Sequence, residues 1–209
     1  MDSNHWLLCF LWILYCTIHS LLAADGVKSY IKKISGNFYR YYRLAYTILA
    51  AVSLLFILYF QYFITSPFLL KQGAIKYISL IIMVFPGFTI MIISILKYFN
   101  LLSGIRTLYE ANPSAKLLRG GIHDYVRHPL YSGTLLFIWG LFFSFPMLKN
   151  LIAMIIITGY VLVGIRLEEK KLLIEFGKAY ADYMNRVPML IPYLKILKQN
   201  KKGRPSGSP

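Results

Sequence analysis

The chain has 209 residues, 57% of them hydrophobic and 15% charged, with 23 Lys and Arg against 8 Asp and Glu. That balance excludes an ordinary soluble domain, which carries more charge and fewer long apolar runs. The basic excess fits an anionic membrane surface, because the basic residues follow the gaps between apolar runs and form no single nucleic-acid patch.

Crossing a bilayer takes about 20 apolar residues as helix. The first such run is 6–24, free of formal charge. No basic stretch precedes it, so it reads as a retained helix rather than a cleaved leader. It holds the chain's two cysteines, Cys9 and Cys16, seven residues apart on one helical face, read as buried small apolar residues. The second run is 44–64 and the third 77–96. Pro86-Gly87 inside the third predicts a kink or an opened backbone. The fourth and fifth runs, 131–148 and 151–165, form a hairpin about the turn at Pro146 to Asn150, and the fifth helix continues through Arg166, whose side chain can snorkel. After it, Leu172, Leu173, Phe176, Tyr180 and Tyr183 recur at helical spacing with a break at Gly177, as in an amphipathic helix pair on the membrane face. Val187-Pro188 and Ile191-Pro192 then hold the chain extended.

The expected fold is therefore an all-α integral membrane protein of about five transmembrane helices. Residues 1–98 form a three-span region, 99–198 a core of loop, hairpin and C-terminal helices, and 199–209 a disordered basic tail. Segments 25–43, 97–130 and 166–209 hold twenty of the 23 basic residues, and the opposite side holds Lys71, Lys76 and Lys149. The bias places the N-terminus outside and the C-terminus in the cytoplasm.

Two polar groups bracket the hairpin: "HDYVRHPLYSG" before it and "RLEEKK" after it. Both emerge on the cytoplasmic side, so Arg127, His128, Tyr131, Glu168 and Glu169 line one pocket. Pro129 suits the first turn of the fourth helix, whose N-terminal N–H groups favour an anion. Anion-binding groups beside carboxylates suit a zwitterion such as an amino-acid moiety. Taken singly, these residues could be an interfacial belt; the combination argues for a site. No metal-ligand set is visible.

The ordered set "YVRHPLYSG", a hydrophobic hairpin, "EEKKLLIEFGKAYADYMNRVPMLIP" resembles the isoprenylcysteine carboxyl methyltransferase superfamily across the C-terminal ~90 residues. "HSLLA" and "FYRYYRLAYTILA" are similar to its NnrU branch, which includes methanethiol S-methyltransferases. The resemblance implies S-adenosylmethionine as methyl donor, held at the cytoplasmic end. Carried over by position, Lys116, Leu117, Leu118, His123, Tyr125, His128, Pro129, Leu130, Tyr131, Glu168 and Glu169 are its cofactor-binding residues. Arg127, His128 and Glu168 are the catalytic candidates. Glu168 is expected to meet the donor's ammonium or ribose. Arg127, His128 or nearby N–H groups are expected to meet its carboxylate, and Tyr125 and Tyr131 to form an aromatic wall. Arg106, Arg43 and His19 are candidates for the acceptor, expected to be a small thiol or a lipid-linked group. The alternatives are a prenylcysteine carboxyl methyltransferase, a lipid-amine methyltransferase, or a non-enzymatic accessory protein of nitrogen-oxide metabolism.

Overall fold

The computed structural model describes residues 2–102 and 120–192. Within them the regular structure is helical: α1 (Ser3–Ala23), α2 (Asp25–Ser35), α3 (Tyr39–Phe63), α4 (Ala74–Ser79), α5 (Phe85–Leu102), α6 (Pro129–Ser144), α7 (Leu148–Phe176) and α8 (Lys178–Arg186). Four stretches are long and apolar enough to cross a membrane: α1, α2 with α3, residues 74–97, and α7. The fifth expected span, α6, is a shorter apolar helix. Large apolar side chains such as Phe56, Ile81 and Phe85 face outward, as lipid-facing residues do.

Two elements differ from expectation in detail. The segment before α3 contains a helix, α2, with Val27, Tyr30, Ile31 and Ile34 spaced along one side and Lys28, Lys32 and Lys33 among them. This is the pattern of a helix lying in an interface. And α7 runs unbroken for 29 residues, about 44 Å at 1.5 Å per residue, so the first amphipathic member after the fifth span is the end of that span's own helix. Gly177, at φ +51°, makes the break before α8, a backbone conformation that favours glycine.

The opened backbone expected at Pro86 takes a definite form. A π-helical turn, Leu80–Val84, joins α4 to α5, and the Phe85 N–H reaches back to the Leu80 carbonyl. Proline lacks an N–H and its ring crowds the carbonyl four residues back; the wider turn supplies the room.

Helix α6 packs on α5 and α7, while α1 packs on α3 and α7. Glycines make the α5–α6 seam. A Cβ on Gly87 would lie 2.6 Å from the Phe137 backbone nitrogen, one on Gly133 2.8 Å from the Met91 nitrogen, and one on Gly140 2.8 Å from the Met83 Cβ. Close backbone approach of this kind drives helix association in lipid. The buried Ser79 hydroxyl donates to the Gly140 carbonyl at 2.9 Å, tying α4 to α6. Leu8, Trp12, Ile57, Ile64 and Ala153 form the α1–α3–α7 core. A polar relay crosses it: the Trp12 indole N–H donates to Gln61 at 2.9 Å, and the Gln61 amide to Asn150 at 3.1 Å.

At the end of the bundle where α1 begins, His5 is 2% exposed. Its Nδ1–H donates to Asp2, its Nε2 accepts from the Ser66 hydroxyl at 3.0 Å, and the Ser66 oxygen accepts the Lys149 N–H at 3.0 Å. The chain ties α1 to the loop after α3 and to the start of α7. His5→Ala is expected to destabilise the protein by about 1–3 kcal/mol, by leaving buried polar groups unpaired. Lys149 and Glu168 are nineteen residues apart on α7, about 29 Å, so binding at the far end should be unchanged. Thermal unfolding and donor titration of the same sample check both parts.

Candidate active site

Three segments converge at the other end of the bundle: the turn Gly121–Asp124 leading into α6, the distal part of α7, and α8 with the extended residues after it. Arg127 is the hub. Its Nε donates to Glu169 Oε1 at 2.7 Å, and its Nη1 donates to the carbonyls of Met184 at 3.0 Å and Val187 at 2.8 Å. The side chains of the ion pair are 9% and 12% exposed. His128 Nε2–H donates to the same carboxylate oxygen at 3.1 Å.

The extended segment is stitched to the start of α6 by its backbone. The Arg127 N–H donates to the Pro188 carbonyl at 2.8 Å and the His128 N–H to the Met189 carbonyl at 3.2 Å. The Ser132 hydroxyl donates to the Leu190 carbonyl at 2.7 Å. Pro188 and Pro192 suit this arrangement, since the residue before each proline is held extended. Tyr180, Tyr183 and Val187 form a small core beneath it. The Tyr183 hydroxyl donates to the His123 carbonyl at 2.7 Å, and His123 Nδ1–H to the Arg127 carbonyl at 3.1 Å. Burial pushes the His123 imidazole pKa down, against the upward pull of that carbonyl, which keeps the ring neutral at pH 7.

Glu168 is placed differently from its neighbour. Its side chain is 46% exposed, with Oε2 3.9 Å from His128 Nδ1. The Tyr131 hydroxyl lies against it, and the rings of His128 and Tyr131 stack with centroids 5.7 Å apart. Tyr180 is 1% exposed and its ring lies 5.9 Å from that of Tyr183, centroid to centroid. Its hydroxyl has no hydrogen-bond partner among the described residues.

The structure thus brings together Arg127, His128, Pro129, Leu130, Tyr131, Glu168 and Glu169. Tyr125 is 57% exposed, and His123 turns inward to support the loop. Arg106, Lys116, Leu117 and Leu118 lie outside the described residues. His19 sits on α1 in an aromatic cluster that its motif did not announce. The Tyr46 hydroxyl contacts its ring nitrogens at 2.9 and 3.0 Å. Tyr15 stacks on it at 5.7 Å, and Tyr160 meets it edge-on at 6.2 Å. Arg43, one turn before Tyr46, is within electrostatic reach of it. Tyr160 stands eight residues before Glu168 on α7, about 12 Å along the axis, so the cluster lies about two helical turns from the α6–α7 site. No group of three or more His, Cys, Asp or Glu able to hold a metal occurs among the described residues.

The chain is 35% identical over 116 residues to a protein of Crocosphaera subtropica named methanethiol S-methyltransferase, covering 52% of this chain and 44% of that one. It is 39% identical over 93 residues to methanethiol S-methyltransferase 2 of Bradyrhizobium diazoefficiens, covering 42% and 34%. A methanethiol S-methyltransferase of Mycobacterium tuberculosis is 30% identical over 187 residues, 84% of this chain and 72% of that one. The chain thus matches less than half the length of the first two relatives. No solved structure matches. The model of the family described as "Protein of unknown function (DUF1295)" matches residues 6–187. That match takes in His19, the Arg127–Glu169 hub and the α5–α6 seam alike, and the chain belongs to the DUF1295 family.

Proposed function

We propose that this protein is a multi-pass membrane methyltransferase that moves a methyl group from S-adenosylmethionine to the sulfur of a small thiol. The observation that carries the reading is the division of labour between adjacent carboxylates. Glu169 is paired with Arg127 and hydrogen-bonded by His128, whereas Glu168 stands half-exposed beside the His128–Tyr131 ring pair. The similarity to proteins named methanethiol S-methyltransferase supports both the reaction and the thiol.

The residues present fit the donor's chemistry. Glu168 offers a carboxylate to its ammonium or ribose, and the Tyr131 and His128 rings offer π faces to adenine or the cationic sulfur. The Tyr180 hydroxyl, in the small core with Tyr183 and Val187, is a buried polar atom without a partner among the described residues. Arg127, expected to hold the donor carboxylate, is engaged by Glu169 and two carbonyls, and the Arg127 and His128 N–H groups by the extended segment. Anion binding here falls to the first turn of α6 after Pro129. Arg127 is in this reading a positioning residue, with Lys116, Leu117 and Leu118 as further donor contacts, Tyr125 at the rim and His123 supporting the loop from within. Bound there, the donor would supply a methyl carbon activated by sulfonium to the acceptor as its thiolate, the thiol proton having gone to water, with the broken bond's electron pair staying on the donor's sulfur. The protein's part is alignment and exclusion of water. His19, Arg43 and Arg106 remain the acceptor-side candidates, and the charge bias supports a donor site on the cytoplasmic face.

Calorimetric titration of detergent-purified protein with S-adenosylmethionine tests the reading. Saturable binding is expected, weakened about 10- to 100-fold by Glu168→Gln through loss of one charge-assisted hydrogen bond. The unfolding midpoint should not move, because the side chain is half-exposed. Folded protein that binds no donor overturns the reading in favour of the accessory protein.

A further inference from the structure

Helices α1 and α3 line a half-open cavity of about 270 Å³. Its polar end is the His19–Tyr46–Tyr15 cluster; the rest of its wall is aliphatic or aromatic apart from Ser53. It extends along α1 from Leu11 to Leu22, eleven residues or about 16 Å, half the thickness of a bilayer's hydrocarbon core. Ile18, Leu49 and Phe56 on its wall are 42%, 52% and 59% exposed. In a bundle whose outer surface meets lipid, those side chains border a sideways opening into acyl chains.

The cavity does not end blindly. His19 meets the Tyr160 ring edge-on at 6.2 Å, and Tyr160 stands eight residues before Glu168 on α7, about 12 Å along the axis. The polar end therefore lies toward the proposed donor site, while the apolar end lies in mid-membrane. Methanethiol has two heavy atoms, and a water-sized group takes about 30 Å³. The cavity would hold such a molecule several times over.

We infer that the α1–α3 cavity receives the hydrocarbon chain of a lipophilic alkyl thiol, several carbons long, that enters from the bilayer with its sulfur at the His19–Tyr46 end. The inference rests on the methyltransferase reading and deepens it by naming the acceptor class. Apolar walls recognise the chain by burial, and the single polar end fixes which terminus arrives at the donor. An ordinary phospholipid also has chains of this kind but carries no thiol, and its headgroup would stand where the sulfur is placed.

The test is a chain-length series from methanethiol to octanethiol on the intact protein in phosphatidylcholine nanodiscs. It reads KM and, independently of turnover, photolabelling by an alkyl thiol with a terminal diazirine. Each added methylene buried in the cavity should improve KM about three- to fourfold until the cavity is full. Longer thiols also concentrate in lipid, so the slope is compared with Ala50→Phe, which places a ring in the cavity. Ala50 lines the cavity, so donor binding should survive in that variant while the chain-length gain falls by at least tenfold over four methylenes. Label should fall on 11–22 and 46–57. A series with no gain beyond that of Ala50→Phe, or label elsewhere, overturns the inference while leaving methanethiol turnover intact. Loss of all turnover and donor binding in the unsubstituted protein overturns the methyltransferase reading itself. Should Ala50→Phe fail to fold, the site of labelling in the unsubstituted protein still decides.

Discussion

Glu169→Ala is expected to lower the stability of the protein by about 3–5 kcal/mol, the cost of breaking a buried ion pair from one side. The Arg127 guanidinium would be left buried with its charge uncompensated, and His128 would lose the acceptor of its Nε2–H. The exposed pairs offer the contrast. Asp25 with Lys28 and Lys171 has side chains 41–69% exposed, and pairs of that kind contribute about 0–1 kcal/mol. The damage should reach the site, because Arg127 also holds the Met184 and Val187 carbonyls; once the guanidinium shifts, α8 and the extended segment lose their anchor. Arg127→Lys should fail in the same direction, since one ammonium cannot reproduce a fork with three acceptors. Replacing both partners, as Arg127→Met with Glu169→Met, removes the stranded charge but leaves two carbonyls without donors, so recovery should be partial. Thermal unfolding followed by circular dichroism, with donor titration on the same samples, separates Glu169 from Glu168. The first should cost stability and binding together, and the second binding alone. A Glu169→Ala protein as stable as the parent would remove the hub from the account.

Much of this organisation is legible in the sequence because it follows from where charge and turn residues interrupt apolar runs. The ends of α1 and α3, the Gly177 break and the convergence of the Arg127–Tyr131 stretch with Glu168 and Glu169 are all of that type. The roles of the two glutamates are not. Adjacent helical residues point about 100° apart, and which one turns inward depends on where α6 and the C-terminal segment dock. The same holds for Arg127: nothing local says that its partners are carbonyls some sixty residues later. Helix α2 did leave a signal, since Val27, Tyr30, Ile31 and Ile34 have helical spacing, but its lysines read first as positive-inside charge. The aromatic surroundings of His19 come from three helices, and only Tyr46 lay in a motif.

The glycine seam was the least legible feature, because closeness of two backbones is a property of the pair, and it carries the second large effect. Gly133→Ala would place a Cβ 2.8 Å from the Met91 nitrogen and 2.9 Å from the Gly87 carbonyl oxygen; Gly87→Ala would place one 2.6 Å from the Phe137 nitrogen. These neighbours are backbone atoms, so no side chain can rotate away and the helices themselves must part. Overpacking of this kind costs about 1–3 kcal/mol, or more where nothing yields. Here the strain has a direction. Gly133 lies four residues after Pro129, about 6 Å along the axis, so a displacement of α6 is passed to His128 and Tyr131, and donor affinity should fall with stability. Gly159→Ala and Gly164→Ala on α7 are the controls. Neither Cβ would meet an atom within 4 Å, and removing a helical glycine should stabilise by about 0.5–1 kcal/mol. The double variant Gly87→Ala with Gly133→Ala should cost less than the two single costs combined, because once the helices have parted the second methyl finds space already made. Additive costs would place the two glycines in separate contacts, and a Gly133→Ala protein with parental stability and donor binding would mean that the seam is not what positions the start of α6.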